Sequence, residues 1–568
     1  MNRIATLGTA ALVSLASSVA LADVKLPSVI GSNMVLQRGM TLPVWGQAEA
    51  GEAVTVSIAG QSVATKAADD GKWRVDLQPI EAGGPYEMKI DGKNSVTLTN
   101  ILVGEVWICS GQSNMQWGVG GSLNPEQEIS SATDSKIRLF TVPNVVGTEP
   151  QPDLILNTQQ PDVGRWVECS PQTVGGFSAV GYFFGRELRK DLDVPIGLIN
   201  TSWGGTPAES WVSRQALQNE ASLKYLSEMS DQTIAAYPKQ KEEFVARLAE
   251  WQKLYDETKA LEAKERADIE AGKDKVEAAD PMTELDDKPS EKAQPTRKTV
   301  AELEKEKPQS PGALEGNAWL PSGLYNAMIH PLVPFGIRGA IWYQGESNAD
   351  RAEEYRKLMT TLIEDWRTAW GADDESRALH FYIVQLANFT ERPKEPVESD
   401  WPELREAQFL ATQTLKNVGI ATAIDIGDAA DIHPRNKQEV GRRLALQAEA
   451  RAYGMKDVVS SGPIYKSMKA EGNSIRLEFD QIASGLVAKD AQPLTGFQIA
   501  GEDRKWVWAD ATIEGKSLVV RSAAVAAPVA VRYGWSNNPP SSLYNAVGLP
   551  ALPFRTDDWP MVTAGRRR

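Results

Sequence analysis

The hydrophobic rhythm of the chain changes twice. From about Val24 to Val103, apolar and polar residues alternate in short runs (34–37, 42–46, 53–58, 72–77 and 86–90) broken by Gly, Pro and Asp-Gly. A period of two between turn residues predicts half-buried strands, so this segment reads as an antiparallel β-sandwich. From Gly104 the pattern becomes apolar runs at 105–109, 194–200, 337–343, 380–386 and 418–425, interleaved with helical periods at 181–190, 352–370 and 403–414. That alternation predicts a parallel sheet covered by helices on both faces. Strand-like text returns from about Val458 to Asp558, at 474–479, 505–509, 517–521 and 528–533, with Pro528 placed where a strand's first residue tolerates it.

The central pattern is interrupted. Residues 215–315 are rich in Glu, Lys and Ala, with helical text at 241–271 and then Pro-bearing, charge-dense text up to Pro311. Charges all round a helical period imply a solvated insertion, either decorative or forming a lid or cleft wall. The expected organisation is therefore a leader 1–22, an N-terminal β domain 23–103, an α/β domain 104–457 carrying the insertion, and a C-terminal β domain 458–568. A length of 568 residues agrees with several units, since domains usually run to about 100–200 residues.

The first 22 residues combine an early Arg3, an apolar middle and small residues at Ala20 and Ala22. They read as a secretory signal peptide cleaved after Ala22, which implies a secreted or periplasmic protein. The net charge of −15 argues against nucleic acid or an anionic membrane surface as partner. Cys109 and Cys169 are the only cysteines; a disulfide and two buried thiols are both open readings. Two cysteines and three scattered histidines do not make a zinc or iron site, and no EF-hand loop occurs, so neither metal nor cofactor is expected.

The chemistry-bearing text lies at the predicted strand ends. Val106-Trp-Ile-Cys109 runs into Ser110-Gly-Gln-Ser113, which reads as a buried strand turning sharply to present Ser113 at the carboxyl edge of a sheet. A serine nucleophile needs a base, and only His330, His380 and His433 are available. His380 opens a predicted strand, and His330 precedes Pro331 at a helix end. His433 follows Asp428 and Asp431 in a loop before a helix, so a carboxylate is at hand to orient the imidazole. Alternation in an extended loop favours Asp431 over Asp428; helix capping is the competing role for either. A nucleophile elbow of the α/β-hydrolase type requires a second glycine where Met115 stands, which disfavours that layout.

Three motifs together, Gly-Gln-Ser-Asn-Met (111–115), Ile-Trp-Tyr-Gln-Gly-Glu-Ser-Asn (341–348) and Asp-Ile-His-Pro-Arg-Asn-Lys (431–437), resemble the sialate O-acetylesterase family of the SGNH-hydrolase superfamily. The resemblance runs from about Val24 to Asp557. It implies an α/β fold, a flavodoxin-like α/β/α sandwich, and hydrolysis of acetyl esters on sugars. It also implies Ser113 as nucleophile, His433 as base, and an oxyanion hole from Ser113, Gly204 or Gly205 and the side chain of Gln344. The family usually places its acid three residues before the histidine, where this chain has Ala430, so Asp431 shares candidacy with Asp428 and Glu346. Trp117, Trp203 and Trp342, with Glu346 and Asn348, are the expected substrate contacts, and Arg351 and Arg435 are candidates for binding a sialate carboxylate. Xylan, xyloglucan and pectic sugars stand beside sialate as substrates. A non-catalytic carbohydrate-binding protein is the reading from a different class.

Overall fold

A computed structural model describes residues 23–156, 160, 162–272, 297–372 and 379–568. The expected leader 1–22 and residues 273–296 of the insertion lie outside the described residues.

Five parallel strands form the centre: β1 (Ser95–Gly111), β2 (Ile196–Ser202), β3 (Gly339–Tyr343), β4 (His380–Gln385) and β5 (Val418–Thr422). Their spatial order is β5-β4-β3-β1-β2, extended beyond β2 by Ile137–Thr141 and the antiparallel edge strand Trp166–Glu168. The strand order reverses at β1, because β2 lies on one side of it and β3 on the other. The crevice beyond the carboxyl ends at such a switch point is where open α/β sheets bind ligands.

Four helices cover this sheet: α1 (Ala179–Leu192), α2 (Ala352–Ala369), α3 (Asp400–Thr414) and α4 (Lys437–Arg451). Side chains alternate along a strand, so β1 serves both faces. Trp107 meets Phe184 of α1 edge-on, with ring centroids 5.2 Å apart. Trp342, whose backbone pairs with Ser110, points to the other face and packs against Trp366 of α2. The strands are buried on both faces, which is why they read as continuous apolar runs.

The boundary expected at 103/104 falls inside a single strand. Residues 95–103 of β1 pair antiparallel with Gly83–Asp91 of the N-terminal sheet, while 105–111 pair in parallel with β2. One continuous apolar core runs through both parts, from Val54 and Trp73 to Leu362 and Leu444. The N-terminal strands are antiparallel, apart from Val35–Gln37, which pairs in parallel with β1. The C-terminal β domain has its own core around Ile475, Phe497 and Val531. There, only Val507–Trp508 of the expected run 505–509 pairs, and the strand expected to start at Pro528 begins at Ala530.

In the insertion, the expected helix is the distal part of one long helix, Lys224–Glu270, with Pro238 inside it. Trp251 Nε1 donates to Leu303 O at 2.7 Å, tying on a short return helix, Val300–Lys305, that a Thr299–Glu302 capping box initiates.

Candidate active site

The turn after β1 depends on Gly111. Its φ of +135° is left to glycine, and a Cβ there would lie 2.1 Å from Tyr343 O. The chain can therefore pass close to β3, where the Gln112 N–H donates to Tyr343 O at 2.9 Å. Gln112 Oε1 accepts from the N–H groups of Gly345 and Ser347, which joins this turn to the loop after β3. A one-turn helix, Ser113–Gln116, follows and leaves Ser113 half-buried at the rim.

His433 reaches Ser113 from the loop between β5 and α4. Its Nε2 lies 2.9 Å from Ser113 Oγ, and its Nδ1 lies 3.3 Å from Asp431 Oδ1. The same carboxylate oxygen accepts the His433 backbone N–H at 2.9 Å. A carboxylate at Nδ1 favours the tautomer with its proton on that nitrogen, which leaves Nε2 free to accept from the serine hydroxyl. The Trp117 ring stacks on the imidazole, with centroids 5.0 Å apart and planes 18° apart. Asp428 turns away and accepts from the Ala430 N–H at 2.8 Å.

The other two histidines stand elsewhere. His330 Nδ1 meets Gln151 O at 2.8 Å, and His380 Nδ1 meets the Tyr382 hydroxyl at 3.0 Å. Burial, together with Arg338, Arg367 and Arg451, pulls His380 down to about 4.

Behind Ser113 is a buried polar relay. Lys437 Nζ donates to Asn114 Oδ1, and Asn114 Nδ2 donates to Glu346 Oε1 at 2.6 Å and to Ile432 O at 3.1 Å. Burial pulls the Lys437 ammonium down to about 7, against the opposing pull of Glu346 and Asp431. Burial likewise raises the Glu346 carboxyl, while the Asn114 amide and Lys437 oppose the rise. Asn114, Gln116 and Lys437 were not singled out from the sequence. Asn114 and Gln116 flank Ser113 in the 111–117 text, and Lys437 stands four residues after His433, so spacing was the available signal.

The other expected site residues differ in exposure and partners. Trp342 is fully buried in an aromatic cluster with Trp211 and Trp366, so it presents no face to a ligand. Asn348 is 1% exposed; its Oδ1 accepts from Ala208 N–H and Gln344 Nε2, and its Nδ2 donates to Glu209. Gln344 is fully buried, and its amide nitrogen donates to Thr206 O and Asn348 Oδ1, so both amide hydrogens are engaged away from Ser113. Glu346 faces Asn114 rather than His433. Arg351 is enclosed between Glu209 and Glu354, whereas Arg435 is exposed. Trp203 and Trp117 are half-buried. Gly204 lies beside the serine, since a Cβ on it would sit 3.3 Å from Ser113 Cβ; its N–H donates to Gln116 Oε1 at 2.8 Å. Gly205 turns with φ +74°. Cys109 and Cys169 are both buried free thiols, and burial raises each of them. Among the described residues no cluster of His, Cys, Asp and Glu could hold a metal, and no helix is long and apolar enough to cross a membrane.

A serine and an imidazole in hydrogen-bond contact at the carboxyl rim of a parallel sheet define a hydrolase-type site. The model of a carbohydrate esterase family, sialic acid-specific acetylesterase, matches residues 103–293 and 308–450, and the chain belongs to that family. The chain is 30% identical to sialate O-acetylesterase of Mus musculus, covering 93% of this chain and 94% of that protein. To the Homo sapiens enzyme of the same name it is 28% identical, over 93% and 92%. A solved carbohydrate acetylesterase from Xanthomonas citri superposes with a TM-score of 0.73 at 34% identity, covering 94% of this chain and all of that one.

Proposed function

We propose that the protein removes acetyl groups from O-acetylated sugars through an acetyl-serine intermediate on Ser113. The observation that carries this reading is the 2.9 Å contact between Ser113 Oγ and His433 Nε2. Ser113 Oγ attacks the acetyl carbonyl while its proton passes to His433 Nε2. Collapse of the tetrahedral intermediate breaks the bond to the sugar oxygen, which takes that proton and leaves as a hydroxyl. Water then attacks the acetyl-serine carbonyl as His433 takes its proton, and acetate departs as the Oγ–acyl bond breaks and His433 returns that proton to Ser113 Oγ. Asp431 holds Nδ1 and balances the transient imidazolium. The backbone N–H of Ser113 and the Gly204–Gly205 turn meet the oxyanion, for which Gln116 Oε1 must release Gly204.

The order β2-β1-β3-β4-β5 of the five central strands supports the flavodoxin-like, SGNH-type reading, because it is the 2-1-3-4-5 order of that fold with one further parallel strand, Ile137–Thr141, added beyond β2. The leader 1–22 supports export, with the periplasm as destination in a host with two membranes. The enclosure of Arg351 by two carboxylates removes one of the two cations considered for a sialate carboxylate. Arg435 stays exposed for that role, and neutral acetylated glycans such as xylan or xyloglucan stand beside sialate as substrates.

The test is acetate release from p-nitrophenyl acetate and from acetylated sugars by wild type and Ser113→Ala. The variant is expected to lose at least about a thousandfold in kcat. Equal activity in the two proteins would overturn the mechanism.

A further inference from the structure

Past the catalytic rim, the sheet runs into a cleft whose far wall is the C-terminal β domain. Asn388, just beyond β4, and Ile424 and Asp425, just beyond β5, line a cavity of about 440 Å³ whose other wall includes Lys489, Asp490 and Gln492. A second cavity, of about 500 Å³, is bordered by Trp508, Asp510 and Ser536. Arg392, Pro493, Thr495 and Pro540 line both, so the two are parts of one cleft. We propose that this cleft binds the chain of an O-acetylated polysaccharide, holding sugar residues beyond the one whose acetyl group reaches Ser113. The inference rests on the esterase reading of Ser113 and deepens it, since it makes the substrate a polymer rather than a single terminal sugar.

Position is the first argument. The cleft begins at residues that directly follow β4 and β5, and the loop from Asp425 leads on to His433. The cleft and the Ser113–His433 contact thus lie beyond the carboxyl ends of strands of one sheet.

The second argument is chemistry. Each cavity falls within the ~300–1,000 Å³ range of ligand sites. Trp508 is half-buried, with its indole N–H held by Lys394 O at 2.7 Å, which fixes the ring as an apolar platform for a sugar face. Along the cleft, Arg392 and Asp510 beside Trp508, and Lys489 and Asp490 in the first cavity, supply hydrogen-bonding groups of both signs. A wall of mixed charge suits the hydroxyls of a neutral glycan, where an anionic or cationic ligand calls for one sign.

The third argument is rigidity. The fully buried Arg405 guanidinium donates to Leu386 O and Ala387 O of the α/β domain and to Ser536 O and Asn537 O of the β domain. Asn388 Nδ2 donates to Asn538 Oδ1 at 2.9 Å, and Asn538 Nδ2 donates to Thr390 O. The walls are thus built in advance, which lowers the ordering cost of binding.

The experiment uses the full chain in the Ser113→Ala background. Xylohexaose, cellohexaose and a xyloglucan oligosaccharide, all without acetyl groups, are titrated calorimetrically, and at least one is expected to bind. Trp508→Ala and, separately, Arg392→Ala on its exposed loop should weaken that binding about tenfold, the scale of one stacking or charged contact. In the active enzyme, kcat/KM for acetylated oligosaccharides should rise with chain length through KM, and either substitution should flatten the rise while leaving p-nitrophenyl acetate turnover unchanged. Binding by none of the three glycans, or a length dependence that survives both substitutions, overturns the cleft and leaves the esterase reading intact. Glycan binding that both substitutions abolish, in an enzyme that releases no acetate from any ester, supports the cleft and overturns the esterase reading instead.

Discussion

Asp431 Oδ1 holds His433 twice, at the ring Nδ1 across 3.3 Å and at the backbone N–H across 2.9 Å. The second contact closes the two-residue turn that brings the first within reach, so the carboxylate sets both the loop and the ring. Asp428, three residues earlier, makes the same kind of local turn with Ala430 N–H and does not meet the imidazole.

Asp431→Asn is therefore expected to lower kcat on p-nitrophenyl acetate by about 10²–10⁴, the scale of losing the tautomer-fixing carboxylate. Asp428→Asn should stay within a few-fold of wild type. Steady-state kinetics, with circular dichroism to verify folding, checks both variants. An equal loss in the two would assign the role away from Asp431.

This pair also shows how much the sequence conveyed. Three histidines and one serine at a strand end narrowed the search to Ser113 and His433, and alternation in an extended loop pointed to Asp431. The five central strands were legible because burial on both faces leaves unbroken apolar runs. What the sequence did not convey was burial of polar side chains. Gln344 and Asn348 lie in motif text that reads as a site, yet their amides hold Thr206, Ala208 and Glu209 in place. Trp342 reads as a rim tryptophan but is the last residue but one of a strand packed on both faces. The join at 103/104 was hidden for a related reason. One strand serves two sheets without a turn residue to mark the change, since Gly104 continues the ladder.

Lys437 yields a prediction about pH. The unfolded ammonium holds its proton to about 10.5, and burial lowers this to about 7 in the folded protein. Between these values the unfolded chain binds more protons than the folded one, so this residue's contribution makes stability rise with pH across that window. Lys437→Met should lack that rise. Urea unfolding of both proteins at pH 6.5 and pH 9 measures it, and a pH-independent difference between them would contradict the buried-ammonium account. Because Lys437 reaches Ile432 O through Asn114, the same variant should also lower kcat.

Arg405 is a fully buried cation whose partners are carbonyls, and burial pulls it down to about 9. Arg405→Leu leaves Leu386 O and Ser536 O without a donor, while Ala387 O keeps the Trp401 indole N–H and Asn537 O keeps the Phe389 backbone N–H. Two buried carbonyls left without a donor should cost about 2 kcal/mol or more. Thermal and urea unfolding test this, with the C-terminal β domain loosening first because two of the lost contacts, to Ser536 O and Asn537 O, tie it to Arg405. Arg405→Lys should recover only part of the loss, since one ammonium cannot span carbonyls in both domains.

Trp117 separates two roles by kinetics. Its ring lies 5.0 Å from the His433 ring and nearly parallel to it, so one face is occupied by that imidazole. A residue that mainly grips sugar would, when truncated, raise KM and spare kcat; one that mainly holds His433 would lower kcat, even on p-nitrophenyl acetate, which has no sugar to grip. The stacking geometry predicts the second result. Trp117→Ala should lower kcat on p-nitrophenyl acetate by about tenfold, with Trp117→Phe restoring most of it because a smaller ring still covers the imidazole. A KM effect confined to sugar substrates would instead make Trp117 a binding platform and leave His433 positioned by Asp431 alone.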